Sequence, residues 1–254
     1  MKHPSAVRRQ GGFTLVEIAI VLMIIGLLIG GILRGQELIT SARVRNIIDQ
    51  KSAIQTAYIG FLDRYRMLPG NLTAAQAAIV GNNALSSATG GTGTIAILTE
   101  STLFFQNLTA AGFLSCSSCM SFVPAAIGGW VGPGPAATIA NSPVNVYGDL
   151  LAIGNEPSTT AAPFRWFDAT AGINRLTLYT GATIPSQVLA EVDRKADDSL
   201  PGTGGFRYAQ GTVAAGMAAG AVIGTCTTGL AVATAATAPW ANPSQSNCQG
   251  AWLF

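Results

Sequence analysis

Three sets of residues stand out by type and spacing. Glu17 is the only charge in the run at residues 13–33, FTLVEIAIVLMIIGLLIGGIL. A carboxylate inside an apolar span costs on the order of 2–3 kcal/mol near a bilayer centre and less near an end, and such groups are usually kept for a function. Glu17 therefore needs a cationic partner. Four cysteines, Cys116, Cys119, Cys226 and Cys248, form an even set with three possible pairings in an oxidising compartment. Cys116 and Cys119 have C-x-x-C redox spacing, but no βαβ pattern surrounds them, and zinc would need Cys226 and Cys248, which lack that spacing. The reading is a structural disulfide within the 116–119 loop, leaving Cys226 to pair with Cys248.

The third set is the acidic cluster Glu191, Asp193, Asp197 and Asp198. Asp193 and Asp197 lie four apart on one helical face, so these carboxylates with Asp198 and loop carbonyls are calcium candidates. There is no EF-hand spacing, and Arg194 and Lys195 flank the group, so a solvated helix end is the plainer reading. Asn71-Leu72-Thr73 and Asn107-Leu108-Thr109 match a glycosylation acceptor pattern, but the pattern is short and both threonines have structural explanations.

These groups sit in an unusually uncharged chain. Of 254 residues, 49% are hydrophobic and 10% charged, against roughly 25% charged in an average soluble domain. The formal charge is +2, too little to drive binding to nucleic acid, and none is expected as a partner. The apolar run at 13–33 would span about 31 Å as a helix, matching a hydrocarbon core of about 30 Å. It is longer than the apolar core of a cleaved secretory signal and has no A-x-A-like site. Gly26, Gly30, Gly31 and Gly35 include two G-x-x-x-G spacings, which suit close helix packing or local loosening.

From residue 36 to 66 the pattern becomes amphipathic, with Ile47, Ile54, Tyr58, Phe61 and Tyr65 at three- and four-residue intervals. One helix over 13–66 is predicted, half membrane anchor and half spine, stopped by Pro69-Gly70. Thr73 and Gln76 form a capping box opening a short helix, and residues 101–111 form a second. β-prone runs at 144–147, 165–167 and 176–180 predict an antiparallel sheet over the spine. Pro185 opens a last helix over 186–196, with Val188, Leu189 and Val192 inward. Residues 212–254 carry no charge, and 211–238 is mostly Ala, Gly and Thr. That composition supplies little membrane transfer energy, so small-residue loops and strands tied by a disulfide are expected there rather than a second membrane helix. The fold class is α+β.

The junction Gly11-Gly12-Phe13, with Lys2, Arg8 and Arg9 before it and Glu17 within an uninterrupted apolar helix after it, resembles the prepilin leader junction of type IV pilins and type II secretion pseudopilins. The resemblance implies cleavage after Gly12 by a membrane peptidase and N-methylation of the new terminus, Phe13. It also implies that Glu17, then the fifth residue, pairs with the Phe13 ammonium of a neighbouring subunit. An α-amino group is cationic at neutral pH, and burying two opposite charges is tolerable where burying one is not. Many family members have proline at the twenty-second mature position; this chain has Arg34 there. Removing residues 1–12 also removes His3, the only histidine, and with it any nucleophile–histidine pair.

The segments YRMLPG, ESTLFFQNLTAAGFL and VDRKADDSLPGTGGF, in that order, resemble a broad group of bacterial prepilin-type proteins. The implied organisation is a leader at 1–12, a transmembrane and filament-core helix at 13–33, an amphipathic spine at 34–66 and a globular head at 67–254. The expected role is a non-enzymatic filament subunit, a minor pilin or pseudopilin. The alternative is a tip adhesin or cargo-binding head delivered by a pilin-like helix. Expected partners are the prepilin peptidase and methyltransferase, other pilin subunits, an inner-membrane assembly platform and the membrane. The expected location is a single pass in the bacterial inner membrane with a periplasmic head, then a filament. No cofactor is expected, calcium being the one candidate.

Overall fold

The computed structural model describes residues 14–81, 85–87, 90–97, 100–116, 119, 142–158, 166–170, 172–210, 225–231, 234–241 and 245–254. Gly12, Phe13, the Pro/Gly-rich stretch at 128–135 and the small-residue run at 211–224 lie outside them. The protein is α+β, in the order α1 (Leu15–Tyr65), α2 (Ala74–Val80), α3 (Ser101–Ala110), β1 (Ala152–Pro157), β2 (Asn174–Tyr179), α4 (Ser186–Ala196), β3 (Phe206–Ala209) and β4 (Gln249–Leu253). It divides into two compact units, up to Ala42 and from Arg43 to Phe254.

The first unit carries the apolar half of α1. Residues 14–34 are all exposed, among them Leu15, Leu22, Met23 and Leu27. A continuous aliphatic surface of this kind marks a site that meets lipid or protein.

In the second unit the rest of α1 supplies one wall of the core. Val44, Ile47, Ile54, Ala57 and Phe61 are buried, at the three-, four- and seven-residue intervals that put them on one face. Tyr58 meets Phe104 of α3 and Phe254 beyond β4, while Phe61 and Tyr65 hold Phe113. Gly60 makes the last contact possible, because a Cβ there would lie 2.9 Å from the Phe113 ring.

The sheet is antiparallel throughout, in the order β1-β2-β4-β3. Trp252 of β4 sits opposite Leu178 of β2 on one side and Phe206 of β3 on the other. Its ring also lies under the Lys51 ammonium of α1, at 5.4 Å. β4 is thus an interior strand, and Cys248 of the 226–248 disulfide immediately precedes it.

The local signals fix the short helices. Thr73 and Gln76 form the reciprocal capping box of α2, and Gly81 in the left-handed region ends it. In α3 every residue from Ser101 to Leu108 is buried, not a single face, because α1, β1 and the turn at Pro69-Gly70 surround it. Two strand expectations change. Residues 144–147 form a turn, with one bridge between Val144 and Leu150, because Asn145 Oδ1 accepts from the N–H groups of Tyr147 and Asp149 and Gly148 takes φ 86°. The β-propensity of Val144 and Val146 yields to this side-chain competition for the backbone. Of 165–167, Arg165 lies outside the described residues and Trp166 forms an isolated bridge to Ala209. Strands β1 and β4 carry Gly, Asn, Pro or Gln and form through pairing rather than propensity, while β3 is only four residues long.

The end of α1 stores local strain. Arg66 closes the helix at φ 56°, a conformation that costs a residue with a Cβ about 1–2 kcal/mol. Gly70, at φ 87°, sits where a Cβ would be 2.9 Å from the Glu100 carbonyl oxygen. Arg66→Gly is expected to stabilise the detergent-solubilised chain by about 1 kcal/mol, and Gly70→Ala to destabilise it by at least that much; paired thermal melts read the opposite signs.

Candidate functional site

The N-terminal site is built on the first turn of α1. Thr14 precedes the first helical residue, and Glu17 is the third residue of the helix, so the pair has the T-x-x-E form of a capping box. The Thr14 N–H donates to Glu17 Oε2 at 2.9 Å, and the Thr14 hydroxyl donates to the same oxygen at 2.8 Å. The Glu17 N–H donates back to Thr14 Oγ1 at 3.3 Å. Among the described residues, both donors to this carboxylate come from Thr14. The positive end of the helix dipole acts in the same direction. The carboxylate is thereby held at the helix start, against the Thr14 N–H. The Thr-x-x-Glu spacing was readable in the sequence, and Thr14 is the participant that the charge argument alone passes over.

In the second unit, disulfides join Cys116 to Cys119 and Cys226 to Cys248. Cys119, Cys226 and Cys248 are fully buried and Cys116 is half-buried. Asn71 and Asn107 are also buried. Asn71 Nδ2 donates to Glu100 Oε1 at 2.7 Å, and Asn107 Oδ1 accepts from the Gly70 N–H at 2.6 Å. Both asparagines hold the turn after α1, which accounts for them without a glycan.

The acidic cluster assembles at the end of α4. Asp193, Asp197 and Asp198 bring carboxylate oxygens within 4.8 Å of one another. Asp193 is buried, contrary to a solvated helix end, while Asp197 and Asp198 are exposed. The reason is Trp240, whose Nε1–H donates to Asp193 Oδ2 at 2.8 Å from 47 residues away. The Ser199 N–H donates to Asp193 Oδ1, and Asp197 Oδ2 accepts from the Phe206 N–H at 2.6 Å. Asp198 accepts from the Leu200 N–H and the Thr203 hydroxyl. The cluster thus ties α4 to β3 and to the disulfide-closed 226–248 segment. Arg194 and Lys195 turn to Glu191 instead, and hydrogen bonding from Arg194 holds that carboxyl below its ordinary range.

Residues 7–33 match the family described as the prokaryotic N-terminal methylation motif, the type IV pilin and pseudopilin signature. The segment at 7–33 thus carries the motif of type IV pilin-like, processed proteins, and that motif implies a prepilin peptidase and assembly with other pilins. No curated protein and no solved structure matched the chain.

Asp193 also sets a pH dependence. Burial pushes its pKa up to about 7, against the Trp240 hydrogen bond, with the neighbouring Asp198 and Asp197 charges adding to the rise. A carboxyl raised on folding contributes its full stability below the unfolded value and loses it as pH climbs through the folded value. Melting temperature should therefore fall by a few degrees between about pH 5 and pH 8, and Asp193→Asn should flatten that slope. A slope unchanged in the variant would assign the effect elsewhere.

Proposed function

We propose that the protein is a structural subunit, a minor pilin or pseudopilin, of a type IV pilus or type II secretion-like filament. The observation that carries this reading is a single carboxylate, Glu17, capped by Thr14 at the start of an exposed apolar helix, inside the matched segment at 7–33. In this reading the peptidase cuts between Gly12 and Phe13 and Phe13 is methylated. The precursor resides as a single pass in the inner membrane with a periplasmic head, and an assembly platform draws it into the filament. Removing the leader takes Lys2, Arg8 and Arg9, which leaves eleven basic against twelve acidic residues.

Glu17 then has two partners in turn. In the isolated subunit, Thr14 supplies two hydrogen bonds that lower the cost of a carboxylate in apolar surroundings. In the filament, the Phe13 ammonium of a neighbour supplies the opposite charge. The role is structural rather than catalytic. Residues 67–254 form a larger head than a minimal pilin head, which favours a second reading as a tip adhesin or cargo-binding module. Immunogold labelling along shafts supports the first reading, and labelling confined to tips the second. Calcium at Asp193, Asp197 and Asp198 belongs to this proposal as well. The spacing of their oxygens suits the ion, and a melting temperature indifferent to calcium would remove it.

Two substitutions separate capping from charge pairing. Glu17→Ala should permit cleavage and impair assembly. Glu17→Gln keeps an acceptor for Thr14 but removes the charge, and it is expected to impair assembly to a similar degree. Normal filaments from Glu17→Gln, in a sheared-surface or membrane-fraction assay, would contradict the pairing.

A further inference from the structure

We propose that the Cys116–Cys119 disulfide is a thiol–disulfide exchange site, opened by dithiols in the folded protein while Cys226–Cys248 stays closed. The two bonds differ in access, in what surrounds them and in how much of the fold they hold.

Cys226 and Cys248 are both fully buried. Cys248 pairs with Ile184 through hydrogen bonds in both directions, at 2.9 and 3.3 Å, and the Cys226 carbonyl accepts from the Ala241 N–H at 2.7 Å. Next to Cys226, Thr227 bridges to Trp240, which itself bonds Asp193. This crosslink spans 22 residues and leads directly into β4. Among the described residues both cysteines are fully enclosed, so a reagent reaches this bond only by opening the surrounding structure.

Cys116 and Cys119 are three residues apart, in the segment that follows α3. Cys119 is fully buried in the core, whereas Cys116 is half-buried and follows the exposed Ser115. Exchange is an in-line displacement, with the attacking thiolate entering opposite the sulfur that leaves. Cys119 lies in the core and Cys116 at its edge, so a thiolate arriving from solvent meets Cys116 first. The short ring also constrains the unfolded chain less than the 22-residue loop does.

The residues before Cys116 hold their place without the bond. The N–H groups of Phe113 and Leu114 both donate to the Leu108 carbonyl, at 2.9 and 3.2 Å. The Phe113 ring packs against Gly60, Phe61 and Tyr65 of α1. Opening Cys116–Cys119 therefore leaves α3 and its contact with α1 in place.

The reaction balances with a dithiol as the reductant. Its thiolate attacks Cys116 Sγ, the Cys116–Cys119 bond breaks, and Cys119 Sγ leaves with the electron pair and takes a proton. The second thiol of the reagent attacks the mixed disulfide and releases Cys116 as a thiol. The reagent departs as its disulfide, and the protein has gained two electrons and two protons.

The test uses the full chain in detergent, titrated with dithiothreitol below its melting temperature, then alkylated and mapped by mass spectrometry. Alkylation at Cys116 and Cys119 is expected at a reductant concentration at least about tenfold below that needed for Cys226 and Cys248. With glutathione as a monothiol, the trapped mixed disulfide is expected on Cys116. A Cys116→Ser, Cys119→Ser double variant should melt cooperatively with Cys226–Cys248 intact. Both bonds opening together, opening only on melting, adducts on Cys119, or a double variant without a cooperative melt would each overturn the proposal.

Discussion

A carboxylate in an apolar helix must be given hydrogen-bond donors or an opposite charge, and Glu17 is where this chain meets that requirement. Thr14 meets it locally, with its N–H and its hydroxyl on one oxygen of the carboxylate. The arrangement also explains the position of the acid. Three residues beyond the cap, its side chain folds back over the helix start, so the charge lies at the first turn rather than in the middle of the exposed aliphatic surface. Moving the acid one turn further along α1 would leave the cap unmade and place the charge among Val21, Leu22 and Ile24.

The head solves the same problem repeatedly. Glu100 is buried and accepts from Asn71 Nδ2, the Ala96 N–H and the Ser87 hydroxyl. Buried Asp149 accepts from the Ala182 N–H at 2.5 Å. Asp193 accepts from Trp240 and Ser199. In each case the donors are amides, hydroxyls or an indole, so these carboxylates act as connectors between segments far apart in sequence. A chain with only 10% charged residues thus commits several of them to its interior, which is a further reason why its surface is poor in charge.

Legibility followed the range of the interactions. The start of α1, the capping box of α2 and the inward face of α4 rest on contacts within four residues, and periodicity or spacing announces them. The apolar run and Glu17 were legible for the same reason. The turn at Asn145 defeated the β-propensity of its valines, because a carboxamide competing for two N–H groups is not part of a propensity sum. Strand β3 was not expected and β4 only as an unplaced strand within 212–254, since the positions of both are set by their pairing with each other and, for β4, with β2. Asp193 looked like a surface acid because its partner, Trp240, is brought to it by tertiary structure and lies in a segment whose composition says little.

In the proposed role, cutting after Gly12 frees the apolar helix and leaves Phe13 as its charged terminus, next in sequence to the Thr14–Glu17 cap. Intact-mass and N-terminal peptide spectrometry of the chain recovered from a host with its prepilin peptidase tests this most directly. The expected product is a chain that begins at Phe13 and carries one added methyl on its amino group. A chain that retains Met1 to Gly12, or begins at any other residue, would contradict it.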